Sequence, residues 1–148
     1  MWREATLADF QAALSDQEAR AFARTDGFDD TVIADTIANT TAHVRGAIRS
    51  GRKCRMPNDA KLIPDMFIIP AMDFAAFNLL KRFNRTVNES RSRAYDRAAS
   101  LFEKTAAGQI VPEDYGEEPQ SVDVASSLAK PSILRKHRLL GRHQENGI

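Results

Sequence analysis

Chemistry in a small chain needs side chains that can hold a metal, move a proton or attack an electrophile, and this sequence of 148 residues offers few candidates. Asp26, Asp29 and Asp30 surround Gly27 in a pattern close to a calcium loop. An EF-hand, however, needs ligands at alternate positions before its glycine and a glutamate at its end. Neither is present, so the aspartates read as a turn and the cap of a following helix. His43, His137 and His143 are far apart, two of them near the C-terminus, and read as surface groups rather than bases or ligands. Cys54 has the cationic neighbours Lys53 and Arg55, which favour a thiolate, but no histidine or carboxylate pattern that would make it a nucleophile. As the single cysteine it also excludes an internal disulfide and a zinc-ligand spacing, and it fits a reducing compartment. The seven glycines form no phosphate-cradling loop, and no Ser, His and Asp set is suggested. The expectation is a protein that is not an enzyme and that uses no cofactor and no metal.

Two groups of cations could meet phosphate: Arg45, Arg49, Arg52, Lys53 and Arg55, and further on Lys81, Arg82, Arg85, Arg91, Arg93 and Arg97. Cations near a helix C-terminus also complement its dipole and solvate a bundle, and this second reading is favoured. A nucleic-acid-binding helical module built on the first group stands as the alternative function. The whole chain exerts no electrostatic pull, with a formal net charge of +1. Its charge is nevertheless polarised, because the first thirty residues hold seven acids against three arginines while the middle is basic. Subunits of a ring could pair such faces, and a solvated surface is an equal alternative.

The elements that position these residues read as helices. Thr6 to Asp9 and Ser15 to Glu18 each place a hydroxyl three residues ahead of a carboxylate, which starts two short helices whose buried side is Leu7, Phe10, Leu14 and Phe22. Asp29 caps a longer helix running to about Ser50, with Phe28 as a staple on Ile33 and Gly51 as the stop. Ile33, Ile37, Val44 and Ile48 keep to one face of it. A basic loop follows, with no strand-like alternation anywhere, and Pro64 suits the first turn of the next helix. From Met66 to Leu80 only Asp73 and Asn78 are polar, so this helix must be covered all round, with Pro70 producing a kink or a short preceding turn. A body of residues 1–111 has little surface with which to cover it completely. Met66, Phe67, Phe74 and Phe77 are therefore expected at a subunit interface. The last helix runs from the cap Asn88 to Ala107 and ends at Gly108. Tyr95, Ala98, Phe102 and Thr105 or Ala106 face inward, while Arg91, Arg93, Arg97 and Lys104 point elsewhere.

Residues 112–148 have no core of their own and read as a tail, acidic first and basic later, that a partner would order. Ile133, Leu134, Leu139 and Leu140 lie among Arg135, Lys136, Arg138 and Arg142, and their spacing of about two helical turns gives the shape of a docking peptide, with a disordered end carrying a few stray apolar residues as the equal alternative. The N-terminus lacks the apolar run of a signal peptide and nothing is long enough to cross a bilayer, so a cytosolic protein without membrane contact is expected. The fold class is all-α, a bundle of four to five helices with an extended C-terminal tail.

Four stretches in succession carry a likeness to a known family: Ala5-Thr-Leu-Ala-Asp-Phe10, the Thr25-Asp26-Gly27 turn, Asp73-Phe-Ala-Ala-Phe-Asn-Leu79, and Arg93-Ala-Tyr-Asp-Arg-Ala-Ala-Ser-Leu-Phe102 leading to Gly108. In order and spacing, over residues 1–112, the chain resembles the head-to-tail connection, or neck adaptor, proteins of Mu-like phages and prophages. It departs where such proteins carry an arginine-tyrosine pair before a proline, because Lys53-Cys54-Arg55-Met56 precedes Pro57. The resemblance implies a dodecameric ring of helical bundles under the portal, meeting a tail-side neck or stopper protein and giving packaged DNA a channel. It implies a place in the neck of a virion assembled in the bacterial cytoplasm, and no catalytic residues.

Overall fold

The computed structural model describes residues 1–116. Reciprocal caps open the chain. The Thr6 hydroxyl accepts from the Asp9 amide while the Asp9 carboxylate accepts from the Thr6 amide, and Ser15 and Glu18 repeat the exchange. These caps define α1 (Leu7–Ala13) and α2 (Asp16–Ala23), both shorter than a helix that persists by itself in water. The Asp29 carboxylate accepts from the Val32 amide and starts α3 (Asp30–Gly51). Phe28, before that cap, stacks on Phe22 at 4.2 Å between ring centroids and meets the edge of Phe83. Asn88 caps α5 (Glu89–Ala106), which Gly108 ends with a φ of 71°.

Between α3 and α4 (Ile68–Arg82) the chain does something the sequence reading did not anticipate. Residues Trp2–Glu4 (β1) and Leu62–Pro64 (β2) form an antiparallel ladder with Trp2 opposite Pro64, Arg3 opposite Ile63 and Glu4 opposite Leu62. Three residues per strand are too few for a period of two to show. Pro64 thus ends a strand instead of opening a helix, and a single 3-10 turn, Asp65–Phe67, leads into α4. That turn is the short preceding turn expected beside Pro70. Pro70 itself sits in the first turn of α4, where an amide has no intrahelical acceptor to lose.

Helix α4 is the axis of the core. Its Ala71, Met72, Ala75, Ala76, Leu79 and Leu80 are buried against Phe10 of α1, Phe22 of α2, Val44 and Ile48 of α3, and Ala98 and Phe102 of α5. One chain therefore covers most of α4 unaided. Phe67, expected at a subunit interface, is completely buried and has no surface to offer a partner. Phe74 and Phe77 are half-buried because Tyr95 stacks on both, at 4.9 and 4.0 Å, and His43 lies over Phe74. Met66 stays exposed, and so does Ile69 at 73%.

Gly51 has a different duty from the one expected. It is the last residue of α3, and Arg52 takes the left-handed conformation (φ 54°) that stops the helix. A Cβ at Gly51 would lie 2.5 Å from the Thr105 carbonyl oxygen, so α3 and α5 cross there on bare backbone.

Candidate functional site

The ionisable groups that enter the body are all engaged, with one another or with backbone carbonyls. Arg91 was expected to face outward with Arg93 and Arg97, yet it is buried. Its Nε and Nη2 donate to the two carboxylate oxygens of Glu18 at 2.8 and 2.7 Å, Nη1 donates to Asp73 at 2.7 Å, and Nη2 also donates to the Ala13 carbonyl at 2.7 Å. One side chain of α5 thereby holds α2, α4 and the end of α1. Burial by itself would push the Glu18 carboxyl up, but Arg91 and the Ser15 amide outweigh it and hold it below the ordinary glutamate value. Hydrogen bonding to Glu18 correspondingly raises Arg91, against the opposing effect of burial. At the chain start, Arg3 grips Asp9 through two hydrogen bonds of 2.9 and 3.0 Å and Asp65 through a third of 2.7 Å. The Arg3 contact holds the Asp9 carboxyl far below its usual range.

The first basic group does not form one surface. Arg45 is buried, donating to the Leu62 and Pro57 carbonyls at 2.7 and 2.8 Å, and burial lowers its pKa. It fastens the loop between α3 and β2 and cannot face DNA. Lys53 is exposed along its stem, but its Nζ donates to the Gly108 carbonyl at 3.0 Å. Arg49, Arg52 and Arg55 remain as exposed cations of that group. Cys54 is half-buried with its Sγ 3.2 Å from the Glu113 carbonyl, and burial together with Asp114 pushes its thiol up to about 11. Cys54 and Met56 pack against the core.

Residues after α5 return over this region. The Trp2 indole Nε1 donates to the Glu113 carbonyl at 2.9 Å, the Tyr115 amide donates to the Arg55 carbonyl at 3.0 Å, and Pro112 is buried. The Met1 amino group pairs with the Glu113 carboxylate, and the Arg55 amide donates to Asp114. Residues 112–116, read from sequence as the start of the tail, thus lie against the body. Ile133, Leu134, Arg135, Lys136, Arg138, Leu139, Leu140 and Arg142 lie outside the described residues, as do His137 and His143.

A groove of about 840 Å³ lies between the start of α1 and the outer side of α3. Its floor is apolar: Ala5, Leu7, Ala34, Ile37, Ala38 and Ala42. Glu4, Asp30 and Asp35 stand at its rim with Lys61, whose Nζ is 3.8 Å from Glu4. Sequence reasoning passed over this face because it followed the larger residues Ile33, Ile37, Val44 and Ile48. The signal was present in Ala34, Ala38 and Ala42, an exposed ridge at spacings of four on which another element can pack closely. A smaller cleft of about 350 Å³ and mixed lining lies between α3 and α4, lined by Asn39, His43, Phe74, Asn78 and Arg82 among others. Among the described residues no group of three or more His, Cys, Asp or Glu side chains could hold a metal ion, and no helix is long and apolar enough to cross a membrane.

Compared with known proteins, residues 5–127 match the family described as Bacteriophage Mu, Gp36. The match runs beyond Pro112, where the resemblance read from the sequence stops. No curated protein and no solved structure matches the chain.

Proposed function

The chain belongs to the bacteriophage Mu Gp36 family, and from that premise we propose that it is a structural component of a phage-like particle, a head-to-tail adaptor whose copies form a ring between portal and tail. The observation that carries the reading is the family match over residues 5–127, laid on a body whose buried ionisable groups all fasten one element to another. A part that must keep its shape while larger assemblies attach to it needs such internal ties, and it needs no acid, base or nucleophile poised in a cleft. What the body does offer is surface for association: the apolar groove beside α3, exposed Met66 and Ile69, and half-covered Phe74 and Phe77.

In this reading the ring is dodecameric and sits in the neck of the virion after assembly in the bacterial cytoplasm. One face meets the portal, the other a tail-side neck or stopper protein, and the C-terminal Ile133 to Arg142 segment docks on a neighbour. The ring performs no chemistry and uses no cofactor. Packaged DNA touches its lumen only in passing, and Arg49, Arg52 and Arg55 are the cations of the first basic group with heads exposed for such contact.

The test is the mass of the full-length chain alone and after mixing with the portal protein of the same phage or prophage, read by light scattering and by electron microscopy of the product. Rings, alone or on the portal, are expected. A chain that stays monomeric at high concentration and ignores the portal overturns the proposal. A steep loss of duplex-DNA affinity between 50 and 200 mM salt, of about 10³-fold or more as for a protein with many phosphate contacts, would instead support the nucleic-acid-binding module.

A further inference from the structure

We propose that the groove between α1 and α3 is the receptor for residues 130–142 of a neighbouring copy, a contact that rests on the ring reading and specifies one of its interfaces. The groove needs an occupant that brings aliphatic side chains and positive charge. Its floor is alanine and aliphatic carbon, and its rim carries Glu4, Asp30 and Asp35 against the single cation Lys61. Neither Asp30 nor Asp35 has a salt-bridge partner among the described residues, so within these residues the rim is net negative. Within the same polypeptide, residues 130–142 meet both needs. They hold Ile133, Leu134, Leu139 and Leu140 together with Lys130, Arg135, Lys136, Arg138 and Arg142, and no acid. The opposite charges bring the segment to the rim and set its register, while burial of its aliphatic groups on the alanine ridge supplies the affinity.

Size and reach agree. A groove of about 840 Å³ seats the aliphatic side chains of the segment while its backbone and cations stay at the rim. Residues 117–129 can span at most about 45 Å when fully extended. A compact body of this length is only about 35 Å across, judged from its expected radius of gyration, so the groove of the next copy in a ring is within range. The family match ends at residue 127, before this segment. The basic aliphatic peptide is therefore an addition to the matched region, placed on a chain whose matched region supplies a groove of the opposite charge.

Cysteine trapping in the full-length chain, with Cys54→Ser as background, tests the contact. One preparation carries Ala38→Cys on the exposed ridge, and a second carries Leu139→Cys. Mixed under mild oxidation, they are expected to form a linked pair containing one chain of each kind, at least tenfold above a control in which Glu103→Cys, exposed on α5, replaces Ala38→Cys. Adding Lys136→Glu and Arg138→Glu to the second chain should cut the yield about tenfold, and Asp35→Lys on the first should restore part of it. A yield equal to the Glu103→Cys control overturns the inference. So does linkage found only within a chain carrying both substitutions, which would make the occupant its own tail. If rings of normal mass still form while the linkage is absent, the groove assignment alone falls; if no ring forms with or without the substitutions, the ring reading falls with it.

Discussion

Arg91 makes four hydrogen bonds inside the body, to Glu18, Asp73 and Ala13, and a guanidinium in that position is costly to leave half-satisfied. Arg91→Met should lower the unfolding free energy by about 3–5 kcal/mol, the usual penalty for stranding a buried partner. Adding Glu18→Gln should recover a good part of it in a urea double-mutant cycle, and a loss below about 1 kcal/mol would mean that Arg91 is not holding the helices. The same contacts give a pH dependence of known sign. Glu18 and Asp9 have carboxyls held below their ordinary values, so the stabilisation each contributes is complete above those values and declines as acid protonates the folded form. The midpoint of urea unfolding should be level from about pH 7 to 5 and fall below about pH 4.5, the ordinary glutamate value. A midpoint that rises on acidification would contradict the network. Cys54 can be checked by rate. With its thiol pushed up from 9.0 to about 11, the thiolate fraction at pH 8 drops roughly a hundredfold, and alkylation by iodoacetamide should be slower than that of a free thiol by about that factor. Alkylation within tenfold of the free thiol would show Cys54 to be open and reactive.

Two glycines of α3 separate helix propensity from helix packing. A Cβ at Gly46 meets nothing within 4 Å, whereas one at Gly51 meets the Thr105 carbonyl at 2.5 Å. Gly46→Ala should stabilise the chain by about 0.5–1 kcal/mol through the unfolded state. Gly51→Ala should destabilise it by about 1–3 kcal/mol, because backbone must move to admit the methyl group. Thermal unfolding of the two variants should shift in opposite directions, and equal shifts would deny the close crossing of α3 and α5. The caps were legible in the sequence because each is written within three residues: Thr6 with Asp9, Ser15 with Glu18, Asp29 before Val32, Asn88 before Arg91. The long periodic helices were legible for the same reason, since a local repeat states its own face. What stayed hidden depends on distant partners. Trp2 pairs across to Pro64, Arg91 reaches Glu18 from 73 residues away, and Arg45 finds its acceptors on loop carbonyls, which carry no residue identity to read. Gly51 showed its type but not its reason, because a stop and a close crossing both require the smallest residue. The groove was half legible: Ala34, Ala38 and Ala42 were visible as a spacing, but only the placement of Ala5 and Leu7 opposite them makes a concave surface.

For the whole molecule, the described contacts separate the residues that complete the body from those that follow. The Trp2 indole, the Cys54 thiol and the backbone of Arg55 all bind between Glu113 and Tyr115, with Pro112 buried beneath. Removal of residues 117–148 leaves every one of these contacts in place, and the truncated chain should unfold within about 0.5 kcal/mol of the full one, as changes away from such features usually do. Removal of residues 109–148 takes them all away. At about 1 kcal/mol for each net hydrogen bond, with Pro112 uncovered in addition, that longer deletion should cost roughly 3–4 kcal/mol. The shorter deletion is therefore the informative one for assembly, because it tests the C-terminal segment on a body that remains intact. It should bind the portal or its own copies at least tenfold more weakly than the full chain, with the body's circular dichroism unchanged. Unchanged binding would move the attachment energy onto the body itself, to the groove beside α3 or to Met66 and Ile69, and would deny the segment Ile133 to Arg142 its proposed role.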